Sequence, residues 1–187
     1  MAVMHGRTYD DLDGGVDGLE GYRSVLRGPK PTFQGFTSQT AELEAVVGQA
    51  VEWAEQGGPK GLAVCVPTKD LVARVPGMLA EAGLPTVELT PDGPKGAGGF
   101  SIGTMHRFKG LEFQPIIIAG ASDGLIPRSS LDRMRAEDPI RFRRPIQLDR
   151  ALLFVAATRA RDELVIFWHG APSRFLSTMS VGKVSAS

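Results

Sequence analysis

The sequence predicts an α/β fold with a mainly parallel sheet, because strand-like apolar runs alternate with stretches that carry apolar residues at helical spacing. The clearest helix is predicted over residues 38–56, where apolar residues recur on one face. The uninterrupted apolar run at residues 61–67 is typical of a strand that is covered on both faces of its sheet. A second amphipathic helix at residues 68–82 and a strand at residues 86–89 continue the alternation.

The remaining elements follow the same pattern. Further strands are predicted at residues 33–36, 100–102, 114–120 and 163–168, and a last helix at residues 147–159. Residues 91–99 and 123–145 are predicted to be loops because Gly, Pro and charged residues dominate them. Within the second of these loops, only a marginal helix is expected near residues 131–136.

The chain is long enough for one domain with a sizeable core, which we place at residues 21–171. Residues 1–20 are rich in Asp and Gly and are expected to form a flexible lead-in. Residues 172–187 are expected to form a flexible tail.

Composition limits the function classes. The chain has 21 Lys and Arg residues against 21 Asp and Glu, and this zero net charge argues against a domain that coats nucleic acid by bulk charge. The single cysteine, Cys65, lies in an apolar run and predicts a buried, inert thiol rather than a disulfide. No apolar run of membrane-spanning length and no secretory signal are seen. We therefore expect a cytoplasmic protein with no membrane partner.

Residues 100–120 carry the most distinctive feature, a polar insert between two apolar runs. The insert, Thr104-Met105-His106-Arg107-Phe108-Lys109-Gly110-Leu111-Glu112-Phe113, separates two predicted core strands. A simple connector would be shorter and richer in Gly, Asn or Asp. The insert is therefore a candidate functional segment.

Three segments resemble the motifs of UvrD/Rep-type superfamily I DNA helicases. Thr104-x-His106-x-x-Lys109-Gly110-Leu111-Glu112-Phe113 resembles motif V, and Leu152-Leu153-Phe154-Val155-Ala156-Ala157-Thr158-Arg159-Ala160 resembles motif VI. Gly21-Tyr22-Arg23-Ser24 resembles motif IV, with Gly21 in place of the usual Asn. The resemblance implies the second RecA-like domain of a helicase, a three-layer domain of the P-loop NTPase type. No phosphate loop of the form G-x-x-x-x-G-K-[ST] occurs in the chain.

For the nucleotide, the resemblance implies that Arg159 is an arginine finger, catalytic together with Arg23. A planar, permanently charged guanidinium suits the charge that spreads over the γ-phosphate oxygens in the transition state. Tyr22 is implied to stack on adenine, Arg23 to contact the γ-phosphate, and Glu112 to accept a hydrogen bond from the ribose. The alternative for Arg159 is a cation that complements the carboxyl end of its helix.

For DNA, the resemblance implies that Thr104 and His106 contact the phosphates and the path that couples them to ATP. Lys109 is a further candidate phosphate contact. Gly110 is expected to adopt a backbone angle that a Cβ atom would forbid. Phe108 replaces the small residue usual in the family.

The implied ligands and partners follow from the same resemblance. ATP with Mg²⁺ would bind in the full-length parent, with the Mg²⁺ ligands outside this chain, and no metal site is expected in the chain itself. The partners would be single-stranded DNA and an N-terminal RecA-like domain of the same parent, and the polarity would be 3′-to-5′. The chain alone is expected to be inactive.

An arginine-rich stretch has two interpretations. Its six arginines are Arg128, Arg133, Arg135, Arg141, Arg143 and Arg144, opposed by three acidic residues. They belong either to a solvated loop or to a patch for a DNA backbone or a protein partner.

Two other functions compete with the helicase interpretation. A helicase-like domain that does not hydrolyse ATP would serve as a nucleic-acid or protein binding module. The other is a serine hydrolase, because residues 99–103 fit G-x-S-x-G around Ser101. That motif needs a strand before the serine and a helix after it, and Ser101 is itself predicted to lie in a strand.

Overall fold

A computed structural model of the chain describes residues 30–57, 61–96 and 98–176. It also describes the backbone of two short strands, β1 (Tyr9–Asp10) and β2 (Val16–Asp17), which pair antiparallel. Tyr22 and Arg23, and with them the predicted motif IV, lie outside the described residues, as do residues 177–187.

The described residues build a seven-stranded, mainly parallel sheet. Its strands are β3 (Thr32–Phe36), β4 (Ala63–Val66), β5 (Thr86–Thr90), β6 (Gly93–Lys95), β7 (Phe100–Thr104), β8 (Phe113–Ile118) and β9 (Ala160–His169). They lie in the order β3-β9-β8-β4-β7-β5-β6, and only β5 and β6 pair antiparallel. The predicted α/β class with a mainly parallel sheet is confirmed.

Four α-helices and one short 3-10 helix connect these strands. They are α1 (Gln39–Gly57), α2 (Lys69–Glu81), the 3-10 helix (Met105–Phe108), α3 (Ser130–Glu137) and α4 (Pro139–Ala157). Hydroxyl groups accept from the first-turn amides of α1 and α2: Ser38 Oγ from Ala41 N at 3.2 Å, and Thr68 Oγ1 from Leu71 N at 3.3 Å. In the described part of the chain, no helix has both the length and the apolar content needed to cross a bilayer.

Helices cover both faces of the sheet, and β4 shows the consequence. Val64 and Val66 point into the core that α1 and α2 cover, whereas Ala63 and Cys65 point into the core on the opposite face. Because successive side chains of a strand alternate between faces, a strand buried on both sides needs an unbroken apolar run. Burial also raises the pKa of the Cys65 thiol, because the thiolate would lose its hydration.

Helix α4 begins at Pro139 rather than at the predicted residue 147, so most of the predicted loop before it is helical. Asp138 caps the helix, because its Oδ1 accepts from Ile140 N at 3.1 Å and from Arg141 N at 3.0 Å. Pro139 stands in the first turn, where its missing N–H costs nothing. The predicted loop at residues 91–99 also contains a strand, β6.

Packing continues beyond the predicted domain boundary at residue 171. Phe175 and Leu176 are buried in the core that α4 covers. Arg174 pairs with Asp123 at 2.9 Å and with Asp132 at 2.8 Å, and its hydrogen bond lowers the pKa of Asp132. The packed part of the chain therefore reaches Leu176.

A buried carboxylate joins three elements where β8 and β9 end. Glu42, in the first turn of α1, is 1% exposed. Its carboxylate accepts from Gly120 N and from His169 Nδ1. His169 in turn exchanges hydrogen bonds with Ser122: His169 N donates to Ser122 Oγ at 3.1 Å, and Ser122 Oγ donates to His169 O at 2.9 Å. This network fixes α1 to the edge of the sheet.

We expect Glu42→Ala to lower the free energy of unfolding by about 2–3 kcal/mol, because a buried amide and an imidazole lose their acceptor. Glu44→Ala, an exposed position on the same helix, should change it by less than about 0.5 kcal/mol. Urea denaturation of the two variants measures the difference. Equal losses would show that the buried network does not stabilise the fold.

Candidate functional site

The crossing segment between β7 and β8 runs from the carboxyl ends of the parallel strands to their amino ends. We call these two ends of the sheet the carboxyl edge and the amino edge. β7 and β8 run parallel to β4, which lies between them, so residues 105–112 must return from the carboxyl ends of the strands to their amino ends. Thr104 closes β7 opposite Val66 at the carboxyl edge, and Glu112 immediately precedes β8 at the amino edge. Thr104 and Glu112 therefore lie at opposite edges of the sheet.

Two buried apolar side chains anchor this crossing segment. Met105 is 7% exposed, and Phe108 is fully buried and packs on Phe113 with ring centroids 5.2 Å apart. His106 and Lys109, which lie between and after these anchors, are exposed. The segment thus keeps its apolar residues in the core and presents its polar ones at the surface.

Gly110 supplies the turn that the sequence predicts. Its φ is +80°, in the left-handed region that favours glycine. Leu111 N donates to Phe108 O at 3.2 Å and closes the turn that leads into β8.

Glu112 and Arg159 are neighbours at the amino edge. Phe113 is aligned with Ala160 in the β8–β9 pair, and Phe113 N donates to Arg159 O at 3.0 Å. Glu112 and Arg159 each immediately precede one of these aligned residues. Glu112 is exposed, and Arg159 is half-buried. The fold therefore brings together two residues that lie 47 positions apart in the sequence.

The Arg159 guanidinium folds back over the end of α4. Arg159 Nε donates to Val155 O at 3.3 Å, and Nη2 donates to Thr158 Oγ1 at 3.4 Å. This is the geometry of a cation at a helix carboxyl end, the alternative that the sequence left open. Within the described residues Arg159 forms no ion pair, and a guanidinium has five N–H donors, so donors remain for an anion.

A small cleft of about 100 Å³ opens beside His106 at the carboxyl edge. Its lining residues are Pro67, Met105, His106, Leu125, Arg128, Asp149 and Leu152. Arg128 and Asp149 form a bidentate ion pair there, in which Arg128 Nε donates to Asp149 Oδ2 at 3.3 Å and Nη2 donates to Oδ1 at 3.2 Å. The cleft therefore combines the exposed imidazole of His106 with the guanidinium of Arg128, which Asp149 holds in place.

Asp149 is the site residue that the sequence did not reveal. It is 6% exposed and also accepts from Arg128 N at 3.2 Å. The available signal was its spacing, because Asp149 shares the inward face of α4 with Leu153 and Ala156. An acidic residue on a buried helical face usually has a partner, and here that partner is Arg128.

The serine-hydrolase alternative lacks its required geometry. Ser101 lies inside β7, aligned with Ala63 on one side and Val87 on the other. A nucleophile elbow needs a sharp turn between a strand and a helix.

Within the described residues, no three His, Cys, Asp or Glu side chains form a group that could hold a metal ion.

The same substitution, Gly→Ala, at two positions tests whether the turn requires the positive φ of Gly110. Gly110→Ala should destabilise the protein by about 1 kcal/mol, because an L residue is strained at that φ. Gly48→Ala, in α1 with no atom within 4 Å of the new Cβ, should stabilise it by about 0.5–1 kcal/mol. Thermal unfolding of both variants gives the signs, and a stabilising Gly110→Ala would contradict the turn.

Comparison with known proteins identifies the part of the chain that contains this site. Residues 91–171 match the family described as the UvrD-like helicase C-terminal domain. YjcD of Bacillus subtilis is 39% identical over 69 residues, which are 36% of this chain and 9% of that protein. The ATP-dependent DNA helicase UvrD2 of Mycobacterium tuberculosis is 30% identical over 114 residues, which are 56% of this chain and 15% of that protein.

A solved structure shares the fold. The C-terminal domain of a possible DNA helicase from Lactobacillus plantarum WCFS1 superposes with a TM-score of 0.61 at 19% sequence identity, and the match covers 81% of both chains. The chain corresponds to only a small part of the curated relatives it matches. The sequence matches confirm the resemblance carried by motifs V and VI, because residues 91–171 are similar to the C-terminal domain of UvrD-like helicases. The solved structure shows that the fold is shared.

Proposed function

We propose that this chain is the second motor domain of an ATP-dependent DNA helicase and completes an ATP site formed mainly by an N-terminal RecA-like domain of the same parent. The observation that carries the proposal is the placement of motif V. One short segment joins Thr104 and His106 at the carboxyl edge to Glu112 at the amino edge, next to Arg159. UvrD2, a relative of this chain, is named as an ATP-dependent DNA helicase.

The amino edge is the proposed nucleotide side. Arg159 would act as the arginine finger, with its unused N–H donors directed at the γ-phosphate oxygens as charge develops on them. Glu112, exposed beside it, would accept a hydrogen bond from a ribose hydroxyl. Tyr22 and Arg23 would add adenine stacking and a second γ-phosphate contact. The N-terminal domain would hold the triphosphate and its Mg²⁺.

The opposite edge is the proposed DNA side. Thr104 and His106 would contact the phosphates of single-stranded DNA, with the exposed Lys109 as a further contact. Because the chain has no net charge, its DNA affinity would come from such local contacts rather than from bulk attraction. By family resemblance the motor would move 3′-to-5′.

The crossing segment is suited to couple the two sides. It is continuous with β7 at one end and β8 at the other, and Met105 and Phe108 fix it in the core. Closure of the two motor domains around ATP would pull on Glu112, and the well-packed segment would transmit that displacement to Thr104 and His106.

One observation favours the second candidate, a binding module that does not hydrolyse ATP. The Arg159 side chain already has two hydrogen-bond partners on its own helix, Val155 O and Thr158 Oγ1. In such a module, the Arg159 side chain would only form these two hydrogen bonds and would have no role in catalysis. The two candidates differ in whether turnover depends on Arg159.

In the complete parent protein, Arg159→Ala should lower the ATP turnover number roughly 10³-fold or more, since the finger acts in the transition state. Nucleotide affinity should change little. Arg161→Ala, an exposed arginine two residues further along, is the matched control and should keep near-normal turnover. Single-turnover hydrolysis with a nucleotide-binding titration makes the measurement. Unchanged turnover in Arg159→Ala would leave the binding module as the better account.

The 187-residue chain by itself should hydrolyse no ATP, because its proposed phosphate and Mg²⁺ ligands belong to the partner domain. A phosphate-release assay with purified chain, with and without single-stranded DNA, tests this. Turnover that disappeared in Arg159→Ala would show that the chain holds a complete site.

A further inference from the structure

The first half of α4 presents an exposed face that combines arginines with large apolar side chains. We call this the α4 outer face, and its residues are Ile140, Arg141, Arg143, Arg144 and Leu148. Ile140 is 81% exposed and Leu148 is 50% exposed, the two highest values among the large hydrophobic residues of the described chain. Ile140, Arg144 and Leu148 follow one another at spacings of four residues, so they form one stripe along the helix.

The positive charge of this face is poorly compensated. Of its three arginines, Arg141 alone forms an ion pair with a described residue, and that contact with Asp138 is long, at 4.0 Å. Glu137, four residues before Arg141, is exposed and forms no ion pair with a described residue. Three other nearby acidic side chains have further partners. Asp138 caps α4, Asp132 pairs with Arg174, and Asp149 holds Arg128.

We propose that the α4 outer face is a second binding surface for single-stranded DNA. Arg141 and Arg144 lie one turn apart on the same side of the helix, where like charges repel each other. Phosphate groups would relieve that repulsion, and a guanidinium can bind a phosphate through two parallel hydrogen bonds. The zero net charge of the whole chain makes this face a local feature rather than part of a general basic surface.

The apolar members of the face favour a single strand over a duplex. Ile140 and Leu148 stand on either side of Arg144, about 12 Å apart at the rise of an α-helix. A single strand offers unstacked base faces as well as phosphates, whereas a duplex offers mainly phosphates and keeps its bases stacked. Alternating apolar and cationic side chains therefore match the chemistry of a single strand.

The α4 outer face is continuous with the cleft beside His106. Its role as an extension of the DNA contact at His106 rests on the proposed function. Leu152 lines that cleft and lies one helical turn after Leu148. Asp149 directly follows Leu148 and positions Arg128, whose side chain is 60% exposed at the same cleft. A strand bound at His106 could pass Arg128 and continue along α4 without leaving the protein surface.

The test measures binding of a fluorescein-labelled oligothymidylate to the 187-residue chain by fluorescence anisotropy at several salt concentrations. The variant R141Q/R143Q/R144Q removes the three cations and keeps good helix formers on α4. The matched control K30Q/K95Q/R161Q removes three exposed cations that lie outside α4 and outside the cleft beside His106. Circular dichroism and thermal unfolding establish that both variants are folded.

We expect the arginine variant to bind at least about tenfold more weakly at low salt, and the slope of log K against log salt to fall by about 2. The control should bind within about threefold of the unchanged chain. The variant I140S/L148S should weaken single-strand binding without changing the salt slope, and it should leave binding of a duplex of the same length nearly unaltered.

Four results would overturn the proposal. They are no binding by the unchanged chain at low salt, an arginine variant that binds normally, a control that loses as much affinity, and a duplex that depends on Ile140 and Leu148 as strongly as the single strand does. None of them would alter the dependence of ATP turnover on Arg159 in the complete parent, so failure here and failure of the proposed function are distinguishable.

Discussion

The position of β4 between β7 and β8 is the constraint on which the candidate site depends. Since all three strands are parallel, the chain that leaves β7 at one edge of the sheet must enter β8 at the other. Met105 and Phe108 satisfy this requirement by burying the crossing segment against the sheet. A single stretch of sequence thereby reaches both edges, and the two groups of proposed ligand contacts cannot share one pocket.

The two ends of the crossing segment have different surroundings. At the amino edge, Glu112 lies beside an arginine whose guanidinium rests on the end of α4. At the carboxyl edge, His106 lies beside Arg128, which the buried Asp149 holds in a fixed position. The proposed nucleotide side thus combines a carboxylate with a guanidinium that has N–H donors free to bind an anion. The proposed DNA side combines an imidazole with a surface-exposed guanidinium.

Most of the fold could be predicted from the sequence, because apolar runs and helical spacing are patterns of neighbouring residues. The apolar run around Val64 and Cys65 is typical of a strand covered on both faces, as the structure shows. The helical spacing of apolar residues placed the first two helices at residues 38–56 and 68–82, close to α1 and α2. These patterns missed what depends on distant partners. Glu42 and Glu44 are alike in the sequence, and only the Gly120 amide and His169 distinguish the buried one. The prolines near the start of α4 also concealed the capping role of Asp138.

The central claim is that one segment contacts nucleotide at one edge and DNA at the other. Its most direct test is steady-state ATP hydrolysis by the proposed full-length helicase, titrated separately with ATP and with single-stranded DNA, for Glu112→Ala and His106→Ala. We expect Glu112→Ala to raise the KM for ATP while leaving the DNA concentration for half-maximal stimulation unchanged. His106→Ala should raise that DNA concentration while leaving the KM for ATP unchanged. If both substitutions shifted the same parameter, or if the two effects were exchanged, the assignment of the two edges would be contradicted.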